Sequence, residues 1–260
     1  MERNLIVILL TALSLLFSPL SSPPARAQSE GGLVLSAGAD KKIDRKLSIG
    51  AEAAFRTRND FRTVDRWSGS LSASYKFNKW LKADAAYTLL YGNNRESITY
   101  NYDTNGVVTG YNNWRPSYWN TRHRLNASLT ADYKFSNNLH FSLRERWQYT
   151  YRPEKTVTRW DFDNSQWEDK VRAGKGKNQL RSRLQVEYDK KRATLKPYAS
   201  MELYNSWAIE KIRYTVGTDI KLTNQHSFDV FYRYQNVKNI DEDDYDPDMH
   251  YVGVGYKFKF

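Results

Sequence analysis

The sequence predicts an all-β chain that closes as an antiparallel transmembrane β-barrel of about ten strands, with twelve as the alternative. Three observations carry this. Apolar residues recur with period two along most of the chain. Candidate strands are joined in pairs by very short turns, and the pairs are separated by long polar connections, an asymmetry of outer-membrane barrels. After the first 27 residues nothing approaches the roughly 20 consecutive apolar residues of a spanning helix. Only helices and closed barrels satisfy every backbone group in lipid, so a membrane protein of this sequence has to be a barrel.

The N-terminal stretch has the layout of an export signal. Arg3 precedes the apolar run from Leu5 to Phe17, and Ala25-Arg26-Ala27 forms a small-x-small cleavage site. The expected organisation is therefore a signal peptide over 1–27 and a single barrel domain over 28–260. The chain has no Cys, which excludes lipoprotein attachment, disulfides and thiolate metal sites.

Ten strands are legible in order. The first spans Lys46–Arg58, and Leu33–Ala39 ahead of it reads as a partial strand. Leu71, Ala73, Tyr75 and Phe77 then alternate with Ser70, Ser72, Ser74 and Lys76, and Asn78-Lys79-Trp80 turns the chain into the apolar row Leu81 to Tyr91. The same hairpin plan recurs at Leu125–Phe135 with Leu139–Tyr151, at Leu180–Tyr188 with Leu195–Leu203, and at Ile212–Leu222 with Phe228–Tyr234. The last strand is Met249–Phe260. Tyr75-Lys76-Phe77, Tyr133-Lys134-Phe135 and Tyr256-Lys257-Phe258 are near-identical strand ends, a weak internal repeat. Long connections cover Gly92–Asn120, Pro153–Lys177 and Asn236–Pro247. The first contains Thr104-Asn105-Gly106 between two short β segments and reads as a hairpin beyond the membrane; Trp160 and Trp167 belong to a similar extension.

The last strand is the most specific element. Val252, Val254, Tyr256, Phe258 and Phe260 share one face, and Gly253, Gly255, Lys257 and Lys259 the other. A terminal Phe after alternating aromatics resembles the sorting signal of bacterial outer-membrane barrels, so Tyr256, Phe258 and Phe260 are candidate assembly residues. A soluble lipocalin-like barrel also alternates, but its wet face would be the charged one. Here Tyr and Phe mark the strand ends of the apolar face, as lipid–water interfaces require.

The segment from Asp40 to Ile49, with Glu52 and Arg56, followed by Tyr75-Lys76-Phe77-Asn78-Lys79-Trp80-Leu81, is similar to a family of outer-membrane barrels known only as a domain of unknown function, the 2490 type. The resemblance implies a fold and a location in the outer membrane. It implies no activity and no site residues.

The net charge is strongly basic: 40 Lys+Arg stand against 29 Asp+Glu. In a soluble protein this would point to nucleic acid; export makes nucleic acid an unexpected partner. If the apolar face meets lipid, the charged face lines the interior. There Arg122, Arg124, Arg144, Arg146, Arg181, Arg183, Arg213 and Arg233, with Lys211, fall toward the loop ends, while Asp84, Asp132, Glu187, Asp219 and Asp229 fall nearer the turns and Glu52 and Glu202 between. Two readings follow. One is a salt-bridged network filling a narrow barrel; the other is a basic outer vestibule that favours small anions, for which the planar, permanently charged guanidinium is suited. Glu145 breaks the pattern, since its parity points it at lipid, and a register-shifting bulge near Arg144-Glu145-Arg146 is the expected explanation.

Other chemistry is weakly signalled. His123, with Ser117 nearby, and His250, after Asp241-Glu242-Asp243-Asp244, lack diagnostic spacing, and His140 and His226 fall at turns. The acidic run with Asp246 and Asp248 has no calcium-loop spacing. A surface enzyme acting on phospholipid, lipid A or peptide, and a sugar-binding protein using Tyr111, Trp114, Tyr118 and Trp119, are the alternatives to a passive pore. No catalytic residue, cofactor or metal is expected. The expected partners are outer-membrane lipids and lipopolysaccharide, the barrel-assembly machinery, and small anionic solutes.

Overall fold

The computed structural model describes residues 29–191, 193–238 and 246–260. The expected signal peptide, Arg192 and the run Asp241–Asp244 lie outside the described residues. Among the described residues there is no helix long and apolar enough to cross a membrane.

Among the described residues, fifteen strands follow the alternation read from the sequence. They are β1 (Glu30–Lys42), β2 (Leu47–Arg58), β3 (Thr63–Lys76), β4 (Leu81–Asn94), β5 (Ser97–Tyr102), β6 (Val108–Arg115), β7 (Tyr118–Lys134), β8 (Leu139–Arg152), β9 (Lys155–Asp161), β10 (Gln166–Arg172), β11 (Lys175–Tyr188), β12 (Leu195–Asn205), β13 (Ile209–Lys221), β14 (His226–Val237) and β15 (Met249–Lys259). Eleven of them close a barrel in the order β1-β15-β14-β13-β12-β11-β8-β7-β4-β3-β2. The other four, β10-β9-β6-β5, form a separate sheet beyond the barrel.

The closed barrel of about ten strands is borne out, with the count at eleven and one pair, β1 with β15, parallel rather than antiparallel. Leu33–Ala39 is not a partial strand: β1 runs 13 residues, pairs antiparallel with β2 and parallel with β15, with Leu33 opposite Val252 and Ala37 opposite Tyr256. Strands that alternate in direction must leave the first and last of an odd set running the same way, so an eleven-strand barrel can close only through a parallel pair. In this barrel β1 covers the edges of both β2 and β15.

The turns between β1 and β2, β3 and β4, β7 and β8, β11 and β12, and β13 and β14 gather at one end, here the turn end. Three of the five connections at the opposite, loop end are long. The other two are tight. Asn59, Asp60 and Phe61 take φ of 52°, 51° and 70° between β2 and β3, and Trp207 takes 74° between β12 and β13. Asn and Asp tolerate this left-handed region, whereas Phe and Trp do so at a cost. The first turn is held by β1: Glu30 accepts from Asn59 N–H at 3.0 Å and Asp60 accepts from Gly31 N–H at 2.8 Å.

The wall is inside-out. Leu71, Leu129, Leu143, Trp147, Leu180 and Leu184 are exposed on the outer face, while Gln148, Thr130, Glu202 and Gln235 are buried within. The predicted bulge at Glu145 is absent. Pairing is continuous from β7 through β8 to β11, with Glu145 opposite Leu129 and Ser182. Glu145 faces outward and its carboxylate accepts from Ser182 Oγ at 2.6 Å; that bond offsets part of the cost of a carboxylate among apolar side chains.

Candidate functional site

Strand parity brings the predicted arginines to the inner wall. One row of paired residues reads Thr130, Arg144, Arg183, Glu202, Arg213, Gln235 across six strands from β7 to β14. The next row toward the loop end reads Ser128, Arg146, Arg181, Tyr204, Lys211. Arg124 lies opposite Thr150, Arg233 opposite Thr215 and Tyr251, and Arg122 opposite Leu90, beyond Arg124 toward the loop end. The eight predicted residues therefore share one interior. Arg144 and Arg183 sit at mid-strand rather than near the loops, because the paired row starts late in β7 and ends near the top of β14.

Glu202 holds this assembly together. Its carboxylate accepts from Arg144 at 2.8 Å, from Arg181 at 2.9 Å and from Tyr204 OH at 2.9 Å, and Arg213 lies 3.5 Å away. The guanidinium carbons of Arg181 and Arg213 also stack over the Tyr204 ring at 4.4 and 4.8 Å. Arg181 donates to Gln148 at 3.0 Å and Arg213 to Gln235 at 2.8 Å. Arg124 Nε donates to Thr150 at 3.1 Å, Arg233 Nε to Thr215 at 3.2 Å, and Arg122 hydrogen-bonds Asn94.

Arg56 extends the cluster from β2. It donates to Tyr251 OH at 3.2 Å and lies 3.6 Å from Asp65. The Nε atoms of Arg144, Arg146, Arg181, Arg183 and Arg213 are enclosed with no hydrogen-bond partner among the described residues. A buried donor without an acceptor is costly, and the single carboxylate of Glu202 serves Arg144, Arg181 and Arg213 together.

Nearer the turns carboxylates join the cations. Asp84 pairs with Lys82 at 3.0 Å, Asp132 with His140 at 3.3 Å, and Asp229 accepts from Tyr198 OH at 2.9 Å. Outside the wall, at the first residue past β11, Asp189 clasps Lys134 and Lys196 at 2.6 and 2.7 Å; hydrogen bonds from Lys134 and Lys196 hold its carboxyl down at about 2. The interior is thus basic in its middle and loop-end tiers and of mixed sign toward the turns, where Lys82, Lys134, Lys196 and Lys257 share the face with the acids.

Aromatic side chains narrow the same interior. A Cβ at Gly253 would fall 2.1 Å from the Phe231 ring, one at Gly32 would fall 2.7 Å from Tyr251, and one at Gly217 would fall 2.8 Å from Tyr198. Each aromatic side chain approaches a glycine of the neighbouring strand where a Cβ would clash. Sequence reasoning missed Tyr204, Tyr251 and Phe231, and gave Glu202 and Arg56 no role. Parity alone could have found Tyr251, which continues the inward row of Gly253, Gly255, Lys257 and Lys259.

The candidate assembly residues gather at the turn end. Tyr256 OH meets His226 Nδ1 at 2.7 Å, Phe258 and Phe260 pack edge-to-face at 4.5 Å, and Phe260 N–H donates to Asp40 at 2.9 Å. The other outward histidines also pair with tyrosines: His123 with Tyr87 at 2.8 Å and His250 with Tyr232 at 2.6 Å. Among the described residues no group of three or more His, Asp or Glu is placed to hold a metal. Asp246 pairs with Arg95, and Asp248 accepts from Tyr234 OH, Asn236 and Val237 N–H.

A family model described as "Protein of unknown function (DUF2490)" matches residues 32–246. The chain belongs to the DUF2490 family. No curated protein matches this DUF2490 chain in sequence. Among solved structures, the beta domain of the Bordetella autotransporter BrkA is similar at 11% identity and a TM-score of 0.48, over 81% of this chain and 78% of that one. A second, titled "CymD monoaromatic hydrocarbon channel", is similar at 10% identity and 0.38, over 77% and 67%. Neither likeness bears on what this DUF2490 barrel does.

Proposed function

We propose that this DUF2490 protein is an integral barrel of the bacterial outer membrane whose interior favours small anions, a narrow passive pore rather than an enzyme. One observation carries the reading: a closed barrel with an apolar outside encloses a belt of arginines whose shared carboxylate is Glu202. An outward apolar face fits hydrocarbon. A belt of guanidinium groups in a low-dielectric enclosure raises the local concentration of anions. The asymmetry of such barrels turns the short connections toward the periplasm and the four-stranded extension outward. Export by a signal peptide cleaved after Ala27 and recognition of Tyr256, Phe258 and Phe260 by the assembly machinery belong to the same reading, with lipid and lipopolysaccharide around the wall. Against an enzyme, His123, His226 and His250 each spend Nδ1 on a tyrosine hydroxyl in an outward pair that suits an interfacial aromatic belt.

The alternative within the same fold is a plugged, structural barrel. Gln235, Tyr251 and Met249 are all about 3% exposed, so side chains fill much of the interior there. Conductance in planar bilayers separates the two. We expect small anion-selective steps, with selectivity reduced in Arg124→Ala plus Arg183→Ala. Silence at every voltage would leave the plugged reading standing.

A further inference from the structure

The two hairpins beyond the loop end build a sheet of their own, and alternation gives it two unlike faces. Trp114 of β6 lies opposite Trp160 of β9, and Trp160 lies opposite Trp167 of β10. The Trp167 ring meets the other two at 5.7 and 5.5 Å. Tyr100 of β5 shares their face, because it lies two residues on from Ile98, which is opposite Trp114. Tyr111 joins through a bulge. By parity with Trp114 it would point the other way, but the register passes over Asn112 and sets Tyr111 opposite Tyr100. The Tyr111 ring then meets Tyr100 at 5.5 Å and Phe162 at 5.3 Å.

Contacts at the base of the sheet fix which way this face looks. Arg115 and Arg172 belong to the opposite face. Arg115 lies over the Tyr118 ring at 5.6 Å, and Arg172 hydrogen-bonds the Tyr118 hydroxyl. Tyr118 continues the inward row of Asn120 and Arg122. The face with Arg115 and Arg172 is therefore continuous with the inner wall, and the aromatic face with the outer one. On the wall below, Tyr91 and Trp119 stack at 4.8 Å where the outward apolar row ends, the place of an interfacial belt. Trp114 precedes Trp119 by five residues, up to about 17 Å along an extended chain. The aromatic face thus rises past the edge of the hydrocarbon on the side of the barrel that meets lipid.

Tyr111 and Trp167 are 54% and 52% exposed. A contiguous exposed apolar surface marks a contact site. This one also carries hydrogen-bonding groups: the hydroxyls of Tyr100 and Tyr111, and Asp169, which accepts from Thr158 Oγ1 at 2.8 Å on the same face. Acyl chains have no use for such groups.

We infer that this face is a binding platform for the saccharide of lipopolysaccharide. A pyranose ring has a flat C–H face that stacks on an aromatic ring, and a rim of hydroxyls that needs donors and acceptors; the platform supplies both. Continuity names the occupant. The outer wall below meets acyl chains, so the part of the same lipid that reaches the face above is its sugar. Of the aromatics that the sequence marks for sugar, Tyr111 and Trp114 belong to the platform, while Tyr118 lies on the inner side and Trp119 in the belt. The inference rests on the outer-membrane reading and is independent of whether the lumen conducts.

The test is titration calorimetry of the full chain in detergent, with deacylated core oligosaccharide from the host bacterium's lipopolysaccharide as the probe and lipid A as the comparison. Heat-modified gel mobility checks the barrel in every variant. We expect the oligosaccharide to bind. Trp167→Ala should weaken it about tenfold and Trp167→Ala with Tyr111→Ala about a hundredfold, while Trp167→Phe keeps most of the affinity. Trp67→Ala on the outer wall and Arg183→Ala in the lumen should leave it unchanged. A folded barrel that does not bind the oligosaccharide, or binds it equally after Trp167→Ala with Tyr111→Ala, overturns the platform and leaves the membrane reading standing. Lipid A binding that the double variant loses, without binding of the sugar, assigns the face to acyl chains and also overturns it. A wild type that is soluble without detergent and shows no heat-modified mobility overturns the membrane reading, and this inference with it.

Discussion

Glu202 is the residue on which the interior depends most. Its carboxylate meets three arginines and a tyrosine hydroxyl, so removing it leaves several buried cations facing one another. Breaking a buried pair by deleting one partner costs about 3–5 kcal/mol in soluble proteins. Glu202→Gln should therefore lower the temperature at which the folded band converts to the unfolded one on gels. Added phosphate should restore part of the loss in the variant and change the wild type little. If phosphate has no differential effect, loss of the carboxylate does not leave the arginines in need of an anion. Asp189 gives a pH signature at the same scale. Its folded pKa, about 2, is depressed by Lys134 and Lys196, below the roughly 3.9 of a free aspartate. A depressed carboxyl contributes stability that is present above the unfolded value and is lost as pH falls through the folded one. Stability should thus decline between about pH 4.5 and 2, and Asp189→Asn should flatten that decline. An unchanged acid limb in the variant would assign it to other carboxylates.

At the level of elements, β1 decides the closure. Its register with β15 places Ala37 opposite Tyr256 and Leu33 opposite Val252. The chain has no cysteine, so introduced pairs report cleanly. Ala37→Cys with Tyr256→Cys should cross-link with a short bifunctional reagent. Ala37→Cys with Val252→Cys should not, because four residues along a strand add about 13 Å. Cross-linking of the second pair alone would mean another register or another neighbour for β15. The tight connections at Asn59–Phe61 and Trp207 have a consequence for the same element. With β2–β3 and β12–β13 closing abruptly, the loop end is built chiefly from two long insertions on either side of β7 and β8, and these pair with each other into the extension.

For the whole molecule, the distribution of charge along the barrel axis is the property to test. A basic middle and loop-end tier above a turn-end tier of mixed sign should make conductance rectify, with anions entering more easily from the loop side. Symmetric current–voltage curves would argue that the arginine tier does not line the path. Assembly is a second property at this scale. Phe260 closes the outward aromatic row and is two-thirds exposed, so it adds little packing. Deleting it should lower the amount of heat-modifiable barrel in the membrane fraction, Phe260→Ala should do so more weakly, and Lys259→Ala should be silent. Unchanged membrane levels after the deletion would reduce the motif to an ordinary strand end.

The alternation of apolar and polar residues by itself determined that the chain is an inside-out barrel, and strand parity alone put Arg144, Arg146, Arg181, Arg183, Arg213 and Arg233 on one wall. Period two is a local property, fixed by the two faces of a strand. The turn residues Asn78, Ser136 and Asn137 marked the hairpins for the same local reason. Only the tertiary structure decided the rest. Whether Leu33–Ala39 is a fragment or the strand that closes the barrel depends on finding β15, more than 200 residues away in sequence, and no local pattern encodes that. Glu202 reads as one acid among several until register sets it between Arg183 and Arg213 and within reach of Arg144. The bulge expected at Glu145 rested on the cost of a carboxylate in an apolar row, and the structure answers that cost with Ser182 on the adjacent strand. The aromatic face of the extension needed two loops to pair across β7 and β8. Side chains far apart in sequence acquire a common chemistry only once the backbone register brings them together.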